Sequence, residues 1–143
     1  MTVKAIVCRK GTDVITIDPT VSLANAAKTL SKRGIGALII SGPDRQVDGI
    51  LSERDIVRAL AERGSSALEE PVGEVMTRKV LTCSETETVG DIMERMTVGK
   101  FRHLPVVERG RLVGLISIGD VVKYRLEQME YESKAMREYI IAG

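Results

Sequence analysis

Two short stretches hold the side chains best placed to do chemistry: Ser52-Glu53-Arg54-Asp55 and Ser117-Ile118-Gly119-Asp120. In each, an apolar strand-like run ends on a serine, and an acid follows three residues later as an amphipathic helix pattern opens. Such a start can serve the helix itself. The serine accepts from a first-turn amide, and the acid answers the serine's own N–H. The same geometry suits a ligand: a hydroxyl and a carboxylate receive the hydroxyls of a ribose, while free amides and the positive end of the helix dipole attract phosphate. Gly49 and Gly114, each three residues ahead of its serine, read as positions where a side chain would block that ligand. Spacing alone does not decide between cap and site.

Little else points to catalysis. The single histidine, His103, has no nucleophile or orienting acid near it in sequence, so a phosphate donor or a structural hydrogen bond is the better reading. Neither a GxxxxGK[ST] loop nor a GxGxxG fingerprint occurs. Cys8 and Cys83 are too few for a disulfide framework and make no zinc pattern; Cys83 reads as a small buried hydrophobe. Arg78-Lys79 is within reach of a ligand phosphate, but solvated surface is the better reading. A net charge of +1, from 21 basic and 20 acidic residues, together with 3% aromatics, argues against nucleic acid as a partner. No apolar run reaches the roughly 18 residues of a membrane span and no signal peptide is visible, so the expectation is a cytoplasmic protein without a membrane role.

The elements that must position the two motifs come in duplicate. Val14–Thr20 aligns with Val80–Thr86, and Gly49–Val57 with Gly114–Val122, about 66 residues apart with a one-residue slip in the loop between the blocks. A repeated unit packs against its twin when one copy cannot bury its apolar face alone. Each copy reads as strand, helix, strand, strand, helix. In the first, Val14–Ile17 is a strand, Ser22–Ser31 a helix stopped by Gly34, Ala37–Ile40 a buried strand, Gly42-Pro43-Asp44 a turn, Val47–Leu51 a strand, and Ile56–Leu60 the opening of a helix. In the second, Val80–Cys83 is a strand, Val89, Ile92, Met93 and Met96 form a helix stripe, and Leu104–Val107 and Leu112–Ile116 flank an Arg109-Gly110 turn. Ser65–Glu74 reads as the linker, and Met1–Gly11 as an appended strand. The boundaries expected are 1–66, 67–126 and a helical extension, 127–143. In that extension Val122, Leu126, Met129, Ser133, Met136 and Ile140 recur in alternating steps of four and three, the seam of a heptad pattern. An exposed stripe of this kind marks an interface, and a two-fold homodimer is its simplest closed form; the alternative is that the extended helix folds back over its own module.

Two copies of V-x-T-(I/C)-x-x-x-T, each followed by G-h-h-S-x-x-D (h, apolar), with Met76-Thr77 and Arg102-His103-Leu104-Pro105-Val106, resemble the cystathionine-β-synthase (CBS) domain pair, or Bateman module. The resemblance covers about Val3 to Arg125. It implies an α/β (α+β) fold of two β-α-β-β-α motifs packed pseudo-two-fold through their sheets, with two clefts for adenosine-containing ligands such as AMP, ATP, NAD(H) or S-adenosylmethionine. It groups Thr16, Ile17, Pro19, Ile35 and Ala37 with Ser117, Gly119 and Asp120 in one cleft. The other takes Thr82, Cys83, Phe101, Arg102, His103 and Pro105 with Ser52, Arg54 and Asp55. Asp55 and Asp120 would take the ribose hydroxyls, and Arg54, Arg102 and His103 would favour phosphate in the second cleft. Ile39, Gly119, Gly36 and Ala37 replace Pro105, Arg54, Arg102 and His103 in the first. The function implied is nucleotide sensing and signal transduction, of the energy-sensing kind, without enzyme activity and acting on another protein. A scaffold with vestigial clefts and a nucleotide-using enzyme are the alternatives.

Overall fold

The computed structural model describes residues 1–10, 14–43 and 46–142; of the expected features, Gly11, Asp44 and Gly143 lie outside these. The chain forms two compact units, one of Met1–Thr12, Thr82–Val107 and Val113–Gly143, the other of Asp13–Leu81 and Glu108–Leu112.

In the unit centred on the first repeat, β1 (Thr16–Ile17) runs parallel to β2 (Ala37–Ser41), and β2 antiparallel to β3 (Val47–Ser52). The helix α2 (Leu23–Arg33) is capped at its start by Ser22, whose Oγ accepts from the Asn25 N–H at 3.2 Å. It is closed by Gly34 at φ 64°, a left-handed position that glycine fills without a Cβ penalty. The Ser52 motif opens α3 (Glu53–Arg63). Leu23, Ala26 and Leu30 from α2 meet Leu38, Ile40, Leu51 and Ala59 in the core.

The segment expected to be a linker is part of this core. It folds as a 3-10 helix (Gly64–Glu69) and the short α4 (Val72–Val75), and it buries Ala67 and Val72 completely. Its glycine and proline serve packing: the Gly73 N–H donates to the Pro19 carbonyl at 2.9 Å, and a Cβ there would approach Pro19 Cβ at 3.0 Å.

The second repeat follows the same plan with α5 (Val89–Gly99), β4 (His103–Glu108), β5 (Arg111–Ser117) and α6 (Ile118–Ala142). Arg109 and Gly110, at φ 51° and 76°, make the tight turn expected between the strands. The expected strand Val80–Cys83 shrinks to one bridge, in which Cys83 pairs parallel with Val106. The matching pair in the first repeat is Ile17 with Ile40, so the duplication holds at the level of register.

The described residues of Met1–Gly11 do not form the expected strand. Val3–Lys10 is a helix, α1, whose Val3, Ile6 and Val7 are buried with Ile92, Met96, Leu104, Ile116, Val121 and Tyr124 of the second repeat. Each repeat's leading segment therefore belongs to the other repeat's unit: α1 to the second, α4 to the first. A single turn-and-a-half of apolar spacing at a chain start gives no periodicity long enough to separate helix from strand.

Candidate functional site

Both serine-acid motifs sit at the junction of a strand and a helix, and both make the internal bond of a helix cap. Asp55 Oδ2 accepts from the Ser52 N–H at 2.9 Å; Asp120 Oδ2 accepts from the Ser117 N–H at the same distance. At both motifs the box is reciprocal: the Ser52 side chain accepts from the Asp55 N–H, and Ser117 Oγ accepts from the Asp120 N–H at 3.1 Å. The next amide in each copy donates to an equivalent carbonyl, Glu53 N to Gly36 O at 3.1 Å and Ile118 N to Arg102 O at 2.8 Å. Positions 36 and 102 thus correspond, as their places beside the motifs imply.

Beyond this frame the two carboxylates differ. Asp55 is 5% exposed, and both oxygens are engaged: Oδ2 also accepts from Ser52 Oγ at 3.1 Å, and Oδ1 from Thr77 Oγ1 at 3.1 Å. The side chain of Asp120 is 22% exposed, and its described bonds fall on Oδ2 alone. One of these comes from Lys10 Nζ at 2.7 Å, which also donates to the Leu115 carbonyl at 3.0 Å. Burial pushes the Asp120 carboxyl up, but the hydrogen bonds from Lys10 and the Ser117 N–H, with the lysine's charge, outweigh it and hold the group below its ordinary value. Neither Lys10 nor Thr77 was marked by spacing as a partner of these acids. No sequence signal joins Lys10 to Asp120 across 110 positions.

The repeated spacing of Gly49 and Gly114 has a cause in the packing of the chain. A Cβ on Gly49 would run into the Met76 side chain and stand 2.9 Å from the Thr77 carbonyl; one on Gly114 would meet Val7 Cγ2 at 3.0 Å. Each glycine lets the other repeat's leading segment lie against the strand. At Gly49 this closeness goes with paired hydrogen bonds, Ile50 N to Thr77 O at 3.0 Å and Thr77 N to Ile50 O at 2.9 Å.

Among the remaining expected residues, Thr16 and Ile17 lie on β1, and Ala37 stands opposite Ser52 in the β2–β3 register. Ile35 and Gly36 line an open hollow of about 590 Å³ with Leu30, Glu53, Ile56 and Val57. Pro19 is held by the Gly73 contact. In the other unit the Thr82 carbonyl accepts from Arg95 Nη2 at 2.9 Å, Cys83 is buried, and its N–H donates to the Pro105 carbonyl at 3.0 Å. Phe101 lies over Gly99, His103 is half-buried, and Arg54, Arg102 and Gly119 are exposed. Arg78 spends one nitrogen on the Gly73 carbonyl at 2.9 Å. No group of three or more potential metal ligands occurs among the described residues, and none of their helices is long and apolar enough to cross a membrane.

The chain is a doubled strand–helix unit with a serine-acid helix start in each copy, and comparison with known proteins names that architecture. The model of the CBS domain matches residues 3–62 and 72–127, so the chain belongs to the CBS-domain family. A CBS-domain containing protein of Agrobacterium tumefaciens is 48% identical, with 87% of this chain and 99% of that one covered and a TM-score of 0.84. The CBS domain pair of protein MJ0100, solved with 5′-methylthioadenosine and S-adenosyl-L-methionine, is 29% identical over 90% of this chain and 98% of that one, at a TM-score of 0.79. A CBS domain protein of Pyrobaculum aerophilum complexed with AMP is 27% identical over 84% and 89%, at 0.74. The chain spans from 21% to 70% of the length of the first curated relatives it matches.

Proposed function

We propose that this chain is a regulatory module that binds an adenosine-containing ligand and passes the binding on as a change of shape or of partner affinity, with no chemistry of its own. The observation that carries the reading is the duplicated serine-acid helix start in a family whose solved members include complexes with AMP and with 5′-methylthioadenosine and S-adenosyl-L-methionine. Ribose recognition needs a carboxylate with a free acceptor oxygen, and Asp120 offers one more readily than Asp55 does. Phosphate recognition needs mobile cations, and Arg54 and Arg102 are exposed. The two residue groups of the family resemblance are the proposed sites: Asp120 with Thr16, Ile17, Pro19, Ile35, Ala37, Ser117 and Gly119, and Asp55 with Ser52, Arg54, Thr82, Cys83, Phe101, Arg102, His103 and Pro105. AMP, ATP, NAD(H) and S-adenosylmethionine are the candidate ligands, and the downstream target is another protein.

Calorimetric titration of the wild type with each candidate tests the module. Asp120→Ala should weaken the tightest ligand about tenfold or more, as loss of a charge-assisted acceptor does. No heat from any of the four ligands would refute the reading and leave a scaffold with silent sites.

A further inference from the structure

The last helix extends well beyond the unit it starts in. It runs 25 residues, about 37 Å at the ordinary rise per residue. Its first turns are anchored: Val121 and Tyr124 are buried, and Glu127 pairs with Arg9 at 2.9 Å. From Met129 to Ala142 every residue is exposed, so the helix does not fold back on its own module. An isolated helical stretch of this length is marginal in water and needs packing along one face. The seam supplies such a face, with Val122, Leu126, Met129, Met136 and Ile140 between 42% and 68% exposed.

We infer that this seam binds the same seam of a second copy as a parallel, in-register two-stranded coiled coil. The steps of four and three place Leu126, Ser133 and Ile140 at one core position of the heptad and Val122, Met129 and Met136 at the other. The flanking positions then decide the direction. With parallel chains Arg125 faces Glu130 of the second copy and Glu132 faces Arg137, opposite charges each time and doubled by the two-fold axis. Antiparallel chains that keep all six core layers set Glu130 against Glu130, Glu132 against Glu132, and Lys123 against Arg137. Sliding them by one heptad removes those repulsions but discards Val122 and Leu126 from the core. The lone polar layer at Ser133, which matches itself only in the parallel register, selects the same pairing. The inference is independent of the ligand reading.

The test uses the full chain in a Cys8→Ser background, because Cys8 is exposed and would cross-link on its own. Met129→Cys should oxidise to a disulfide-linked dimer through residue 129 of both copies, since facing core positions of a parallel pair fall within disulfide reach. Glu132→Arg should raise the dimer dissociation constant several-fold to about tenfold through its two symmetric pairs, and Glu132→Arg with Arg137→Glu should restore it. These side chains are exposed, so the changes leave the body intact. A monomer at high micromolar concentration by sedimentation overturns the inference. A dimer that neither cross-links at 129 nor weakens with Leu126→Asp and Ile140→Asp overturns it as well.

Discussion

The clearest consequence of the site geometry is that two acids at equivalent positions differ in what they hold together. Replacing Asp55 by alanine removes the acceptor for the Ser52 N–H, for Ser52 Oγ and for Thr77 Oγ1, at a position 5% exposed. The two hydroxyls can turn to other acceptors, but the amide cannot, and water has little access to it. A buried amide left unpaired costs about 1–3 kcal/mol, and the lost tie to Thr77 adds about 1 kcal/mol, so the variant should lose roughly 2–4 kcal/mol. Asp120→Ala removes the acceptor of the Ser117 N–H and the Lys10 pair, but at 22% exposure water can replace both, and such half-exposed pairs contribute about 1 kcal/mol or less. Urea unfolding followed by circular dichroism reads the difference. With a slope of about 1–3 kcal/mol/M, the Asp55→Ala midpoint should fall about 1 M or more below that of Asp120→Ala. Asp55→Asn should recover much of the loss, because its carbonyl oxygen can still accept from Ser52 while its amide donates to Thr77 Oγ1. Equal midpoints for the two alanine variants, or a lower one for Asp120→Ala, would refute the assignment of Asp55 as the clasp of its unit.

The strand glycines give a second test: Gly49→Ala should cost more than about 2 kcal/mol because its Cβ meets backbone at Thr77, whereas Gly114→Ala meets a valine methyl and should be partly rescued by Val7→Ala, both measured by thermal unfolding. The acid limb of the stability profile gives a third. The folded Asp120 carboxyl lies below its ordinary value, so its stabilisation is present above about pH 4 and is lost as pH falls through the folded value. Lys10→Met should therefore flatten stability below pH 4 relative to wild type in acid titrations, with little change in slope between pH 6 and 8. A fourth concerns ligand charge: if Arg54 and Arg102 read phosphate, raising salt should weaken AMP more than adenosine in calorimetry, and equal salt dependence would remove the arginines from the reading.

What the sequence determined by itself is local and periodic. The helix starts at Ser22, Ser52 and Ser117, the stop at Gly34, the Arg109-Gly110 turn and the heptad steps of α6 each depend on residues within a few positions of one another, and each stands where spacing put it. The duplication was also legible, and the structure repeats it in the equivalent pairs Ile17 with Ile40 and Cys83 with Val106. Tertiary structure alone decided which segment each repeat folds against. Val3–Lys10 is too short for its periodicity to name it a helix, and nothing in its composition says that it packs on residues about a hundred positions away. That exchange also gave the two glycines a packing role, since each admits a leading segment, and made the expected linker part of the core. It made the two acids unequal, one closed by Thr77 and the other paired with Lys10 on a single oxygen. Motif spacing reports what a residue offers, but its partners depend on contacts between distant segments, which only packing brings within hydrogen-bond range.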